Sequence, residues 1–132
     1  MISLIIALLG ALNPVVTSAT LARTICHAGW TATIRPSVSY TAPLKRRLAM
    51  QVGISVQSLK YYELDHIVPL EVGGAPRDLV NLWLQPWNGP AGAHAKDRVE
   101  NQVHRDICTG RITLAQGQAV FQGDTWQTYR RP

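Results

Sequence analysis

The sequence predicts an α+β domain built on a β-hairpin followed by a helix. Two short β-prone stretches, 64–70 and 79–84, flank a turn-rich Gly73-Gly74-Ala75-Pro76 segment. After a break over Pro86 to Gly92, the residues Val99, Val103 and Ile107 recur at helical spacing, as on a helix with one buried face. A length of 132 residues is enough for one hydrophobic core and too little for two.

The elements follow in order. Residues 1–22 carry no charged side chain, and Ile2 to Leu12 is an apolar run of signal-peptide length, short for a membrane span. Small residues follow at Thr17 to Ala22, so cleavage is expected after Ala19 or Ala22, although the stretch before the apolar run lacks Lys or Arg. The expectation is a signal peptide over 1–22 and one domain over 23–132, in a secreted or cell-envelope protein with no stable membrane insertion after cleavage. An uncleaved N-terminus would instead tether the chain to a membrane. Cys26 and Cys108 form no CxxC pair, which excludes a four-thiolate zinc knuckle. In an exported chain they would pair as one disulfide, stabilising the fold by about 4 kcal/mol in the chain-entropy model. Two buried free thiols are the alternative.

Thr31 to Arg35 reads as a short N-terminal β segment stopped by Pro36, with Ser37 to Tyr40 continuing it. Pro43 is placed to start a helix through Leu44, Leu48 and Val52 that ends near Gly53, with Lys45, Arg46 and Arg47 on its outer side. A further helix is expected from about Ala93 to the Cys108-Thr-Gly110 stop. Thr113 would cap a last one through about Gln122, with Trp126 and Tyr129 packing afterwards. With 46% of residues hydrophobic and only 16% charged, a folded domain is expected rather than a disordered one. The net charge of +5 reads either as a sign of a polyanionic partner such as nucleic acid or as the charge of a small basic protein that binds nothing acidic. The basic cluster at 45–47 reads equally as a phosphate-contacting surface or a solvated face.

Chemistry concentrates at Asp65-His66, at the end of the first strand, and on the helix bearing His94, Asp97, Glu100, Asn101 and His104. Phosphodiester hydrolysis needs a base to take a proton from water and a divalent cation to stabilise the departing oxygen. Oxygen and imidazole donors suit such a cation. Adjacent residues on a strand face opposite sides unless the strand ends there, so Asp65 and His66 would divide these tasks.

The run Glu63-Leu-Asp-His-Ile-Val-Pro-Leu-Glu-Val-Gly-Gly74 with Asn81-Leu82 resembles the HNH endonuclease family and its ββα-metal core. More narrowly, it is similar to small exported bacterial and phage HNH-like proteins. Thr33-Ile-Arg-Pro, Ser39-Tyr40-Thr41, Leu44-Lys45, Asn81-Leu82-Trp83 and Lys96-Asp97 with Glu100-Asn101 and His104 carry that likeness over most of residues 26–126. The resemblance implies Asp65 as a metal ligand, His66 as general base, and Asn81 as the residue that ties the loop and orients the histidine. A common spacing would put the helix ligand at Pro90, which has no donor, so His94 is the first choice, with Asp97 and His104 as competitors and Asn88 further behind. Lys96 or Arg98 would bind the scissile phosphate, and Lys45, Arg46 and Arg47 the backbone. The implied cofactor is one divalent ion, Mg²⁺ before Mn²⁺, Ni²⁺ or Zn²⁺, and the implied partner is DNA before RNA, with low sequence preference.

Each residue also has a duller role. Glu63, Glu71 and Glu100 read as salt-bridge partners, His104 as a structural residue near Cys108, and Trp83, Trp87 and Trp126 as packing before base stacking. Two other functions fit the same residues: a catalytically weak nucleic-acid-binding module, and a secreted protein-interaction factor.

Overall fold

A computed structural model describes residues 10–123 and 125–132, and it is a mixed α+β chain. Among the described residues four α-helices, α1 (Trp30–Ile34), α2 (Val38–Gln51), α3 (Ala93–Cys108) and α4 (Leu114–Phe121), accompany two strands, β1 (Tyr62–His66) and β2 (Leu82–Pro86). The strands pair antiparallel, with Asp65 opposite Trp83 and His66 opposite Leu82. No helix among the described residues is long and apolar enough to cross a membrane.

α3 starts at Ala93 behind Gly92 and buries Val103 and Ile107, with Val99 packed at the edge of the same core. α4 crosses it closely: a Cβ on Gly117 would come within 2.4 Å of Ile107 Cδ1, so any larger residue would have to displace the Ile107 side chain. The start of α4 is a capping box, in which Thr113 Oγ1 accepts from the Gln116 amide and the Thr113 amide donates to Gln116 Oε1. The Cys26–Cys108 disulfide is present and joins the N-terminal turns to the end of α3. His104, one turn earlier, donates from Nε2 to the Ile25 carbonyl at 2.8 Å, beside that bridge.

Three sequence expectations are corrected. Thr31 to Arg35 and the residues after it form no strand: the hairpin offers them no edge, and α1 closes as a single turn between Gly29 and Arg35. Arg35 is extended (ψ 126°), the conformation that a following proline imposes, and so leaves the helix direction. α2 begins at Val38, five residues before Pro43, which sits inside the helix and costs it one backbone bond. The strands are also displaced. β1 ends at His66 because the Val68 backbone bonds to the Asn81 side chain instead, and Leu79–Asn81 is a 3₁₀ turn capped by Asp78.

The expected leader lies partly on residues 1–9, outside those described. Its remainder is folded. Ala11 and Val16 are buried in the core, the Ala75 amide donates to the Ala11 carbonyl at 2.8 Å, and the Asn13 amide donates to the Gly73 carbonyl at 2.9 Å. Cleavage after Ala19 or Ala22 would remove these contacts. A chain starting at Arg23 should therefore lose roughly 3 kcal/mol of stability or more, from the burial of Val16 and two backbone bonds. Urea denaturation beside a chain starting at Gly10 checks this, and equal midpoints would show that the segment contributes nothing.

At the other end Asp106, fully buried, accepts hydrogen bonds from Tyr129 Oη (2.6 Å), Gln102 Nε2 (2.9 Å) and Arg131 Nε (3.0 Å). Burial disfavours its charge, but these donors outweigh burial and hold its pKa below the usual 3.8. A folded pKa below the unfolded one gives stability that is present above pH 3.8 and lost as pH falls through the lower folded value. Asp106→Asn should remove this acid-side slope; thermal unfolding between neutral pH and pH 2 would measure it.

Candidate active site

β1 ends in a cavity of about 370 Å³. Period-two alternation puts Glu63 and Asp65 on one face of the strand. His66 is the last strand residue, so it escapes the alternation and lines the same cavity instead of facing away. α3 adds Asp97, Glu100 and Asn101, the turn after Pro69 adds Glu71, and Thr31 and Arg35 close the far side.

The histidine is held by backbone. His66 Nε2 donates to the Pro76 carbonyl at 2.9 Å, and because a carbonyl only accepts, this bond leaves Nδ1 as the lone-pair nitrogen. Burial lowers the imidazole pKa from 6.5, against the opposing pull of that bond and of Asp65, so the ring is neutral at neutral pH. The carbonyl is in turn fixed by Asn81, which is fully buried. Its Oδ1 accepts from the Val68 amide (2.8 Å), and its Nδ2 donates to the carbonyls of Val68 (3.0 Å) and Ala75 (2.9 Å), the residue before Pro76. Gly74 completes the fit, since a Cβ there would lie 1.7 Å from the Val68 carbonyl oxygen.

Charge in the cavity is unbalanced. Five carboxylates, Glu63, Asp65, Glu71, Asp97 and Glu100, meet two cations, Arg35 at the rim and Lys96 beneath. Lys96 is 2% exposed and donates to Asp65 Oδ2 (2.7 Å), Glu100 Oε1 (2.6 Å) and the His66 carbonyl (2.8 Å). Burial alone would lower its pKa, but Asp65 and Glu100 overcome this and raise it. Glu63 is pushed up to about 7, first by burial and then by the charges of Asp65 and Asp97. Its Oε2 is buried without a hydrogen-bond partner.

The expected site residues divide accordingly. Asp65, His66 and Asp97 come together in the cavity, and Asn81 supports it from behind. His94 does not reach it: the side chain is exposed and stacks on Trp87, with ring centroids 5.2 Å apart. His104 points to the Ile25 carbonyl and stands 4.0 Å from Glu71, and Asn88 lies in the exposed loop. Lys96 is corrected from phosphate ligand to buried counterion, because two carboxylates consume its charge. Arg98 is exposed away from the cavity, Lys45 lines a second cavity behind β1, and Arg46 and Arg47 are exposed on α2. Of the expected salt-bridge carboxylates, Glu100 pairs with Lys96, while Glu63 makes no ion pair among the described residues. Sequence reasoning missed Arg35 and Glu63 as lining residues. The available signals were a pre-proline arginine and a carboxylate two residues before Asp65 on a strand.

Among the described residues no three His, Cys, Asp or Glu side chains are grouped closely enough to hold a metal ion by themselves. In comparisons with known proteins, no family model, curated protein or solved structure matches the chain.

Asn81→Ala strands the Val68 amide and carbonyl and the Ala75 carbonyl in a buried site. It should cost roughly 3 kcal/mol or more, measurable as a drop in urea midpoint at unchanged slope.

Proposed function

We propose that the chain is an HNH-type, metal-dependent endonuclease that hydrolyses phosphodiester bonds in DNA, and RNA secondarily, with His66 as general base. One observation carries the reading. A half-buried, neutral histidine is held in a single tautomer, with Nδ1 as its lone-pair nitrogen, in a cavity lined by carboxylates and one arginine.

The residues fit a hard divalent cation in kind. Glu63 presents a buried carboxylate oxygen that no protein donor satisfies, and Asp65 and Asp97 repel it. Mg²⁺ is commonly bound by one or two carboxylates, with water and substrate phosphate filling the remaining positions, so a preformed three-residue group is not required. Asp65, with Asp97 or Glu63, would hold it, and His94 drops out. When bound, the ion supplies Lewis-acid stabilisation of the departing 3′ oxygen. His66 Nδ1 takes the proton of the attacking water, Pro76 and Asn81 keep the ring in place, and Arg35 meets the phosphate at the rim. The disulfide fits an oxidising compartment, and export is part of the proposal.

Lys96 favours a second reading. Its ammonium already occupies one oxygen of Asp65, as expected of a module that binds nucleic acid without cutting it.

Supercoiled-plasmid cleavage by the oxidised protein separates the two. Cleavage should require a divalent metal and fall about 10²- to 10⁴-fold in His66→Ala. Asp65→Asn, which keeps the side-chain shape beside Lys96, should abolish the metal-dependent cleavage. Metal-independent cutting, or cutting that survives His66→Ala, would sink the nuclease reading. DNA binding without cutting under any of Mg²⁺, Mn²⁺, Ni²⁺ or Zn²⁺ would establish the binding module.

A further inference from the structure

β1 has a second cavity behind it, of about 430 Å³, and Arg35, Glu63, Asp65 and His66 line both. The lining of this second cavity is mixed: beside the shared polar residues it carries Pro36, Val38, Leu64 and the half-buried Trp87. That indole is a held platform: its ring packs on His94, its amide donates to the Tyr61 carbonyl (3.0 Å), and its carbonyl accepts from the His94 amide (3.2 Å). Lys45, from α2, lines the cavity as Arg35 does, and neither cation makes an ion pair among the described residues.

We propose that this cavity receives one unpaired nucleobase of single-stranded DNA, stacked on Trp87, with Arg35 and Lys45 on the adjoining phosphates. A flat apolar ring carrying an anion on a short sugar tether calls for an apolar surface beside cations. The lining offers Trp87, Val38 and Pro36 with Arg35 and Lys45, two cations without ion pairs among the described residues that also offset Glu63 and Asp65. Continuity through His66 sets the register, because a base in the slot brings its own phosphate to the wall that His66 shares with the reactive cavity. A base inside a duplex is stacked and paired and must be flipped out to enter, so the site selects single-stranded or locally opened DNA. The proposal rests on nucleic acid being the substrate of the neighbouring cavity and adds which form of it is preferred.

The test is binding without turnover. A fluorescein-labelled deoxyoligonucleotide, as a single strand and as a blunt duplex, is titrated by anisotropy with the oxidised protein, once in chelator and once in Ca²⁺. The single strand should bind about tenfold or more tightly than the duplex. Trp87→Ala should weaken the single strand by roughly 5- to 100-fold, the loss that one base–aromatic stack carries, and leave the duplex nearly unchanged. Trp87→Phe should restore most of the affinity. Trp83→Ala, which changes an exposed indole outside this cavity, should have no effect. If Trp87→Ala fails to fold, Val38→Glu, at a position 78% exposed, puts a carboxylate at the slot without touching the core and should weaken the single strand alone. Equal losses on both forms, no loss in either variant, or no binding of either form in both buffers would overturn the stacking site. Plasmid cleavage that persists beside such a result would leave the nuclease standing. Single-strand selectivity that depends on Trp87 in a protein that never cuts would leave the stacking site and remove the nuclease.

Discussion

The ammonium of Lys96 is the contact on which the arrangement of helix and hairpin depends. It is buried beneath the site, bonded to Asp65, Glu100 and the His66 carbonyl, and lies 5.5 Å from the centre of the Phe121 ring of α4. A charge taken out of water loses several kcal/mol of hydration, and only well-placed partners recover it. α3 must therefore sit with its first turns against the end of β1, and α4 must close over the stem of the same side chain. Removing one partner of such a pair typically costs about 3–5 kcal/mol, so the geometry of Asp65 and the backbone at His66 are tied to the stability of the fold.

A second constraint acts on the loop between the strands, and it is mostly backbone. Asn81 closes the loop on itself, Gly74 passes under the Val68 carbonyl where no side chain would fit, and the segment from Ala11 to Asn13 bonds to Gly73 and Ala75 from outside. The acceptor for His66 belongs to Pro76, just beyond these anchors. The orientation of the histidine is thus set by a loop held from two sides.

Local signals made part of this legible in the sequence. Both ends of α3 and the Thr113 cap of α4 were readable, because the Gly92-Ala93 start, the Cys108-Thr-Gly110 stop and the Thr113/Gln116 box lie in short stretches, and the pairing of Cys26 with Cys108 followed from the absence of other thiols. The rest depended on partners distant in the chain. Thr31, Thr33 and Ile34 are β-prone, yet no edge was free to receive them, and they became α1. Lys96 was expected at a phosphate because Asp65, which draws it inward, is 31 positions away. Helical periodicity grouped His94 with Asp97 on one face but could not show that the first turn of α3 leans on Trp87, leaving His94 outside. Ala11 and Val16 are buried in the core, which the apolar composition of the segment did not announce, because composition does not distinguish a segment bound for a membrane from one bound for the core.

Lys96 and Glu63 pull the interpretation of the cavity in opposite directions. Taken alone, the Lys96–Asp65–Glu100 group is a satisfied structural ion cluster that asks for no ligand. Glu63 is not satisfied: its buried Oε2 has no donor, and Asp65 and Asp97 raise the cost of its charge. A buried polar atom left unpaired costs about 1–3 kcal/mol, and replacing Glu63 by an apolar residue would relieve that cost if stability were the only demand. Lys96 cannot relieve it, since its three protons are already directed at Asp65, Glu100 and the His66 carbonyl. Arg35, at the exposed rim, makes no salt bridge with it. What the cavity lacks is therefore positive charge at the Glu63 side of Asp65, beside His66, and the divalent cation of the proposed function would supply it.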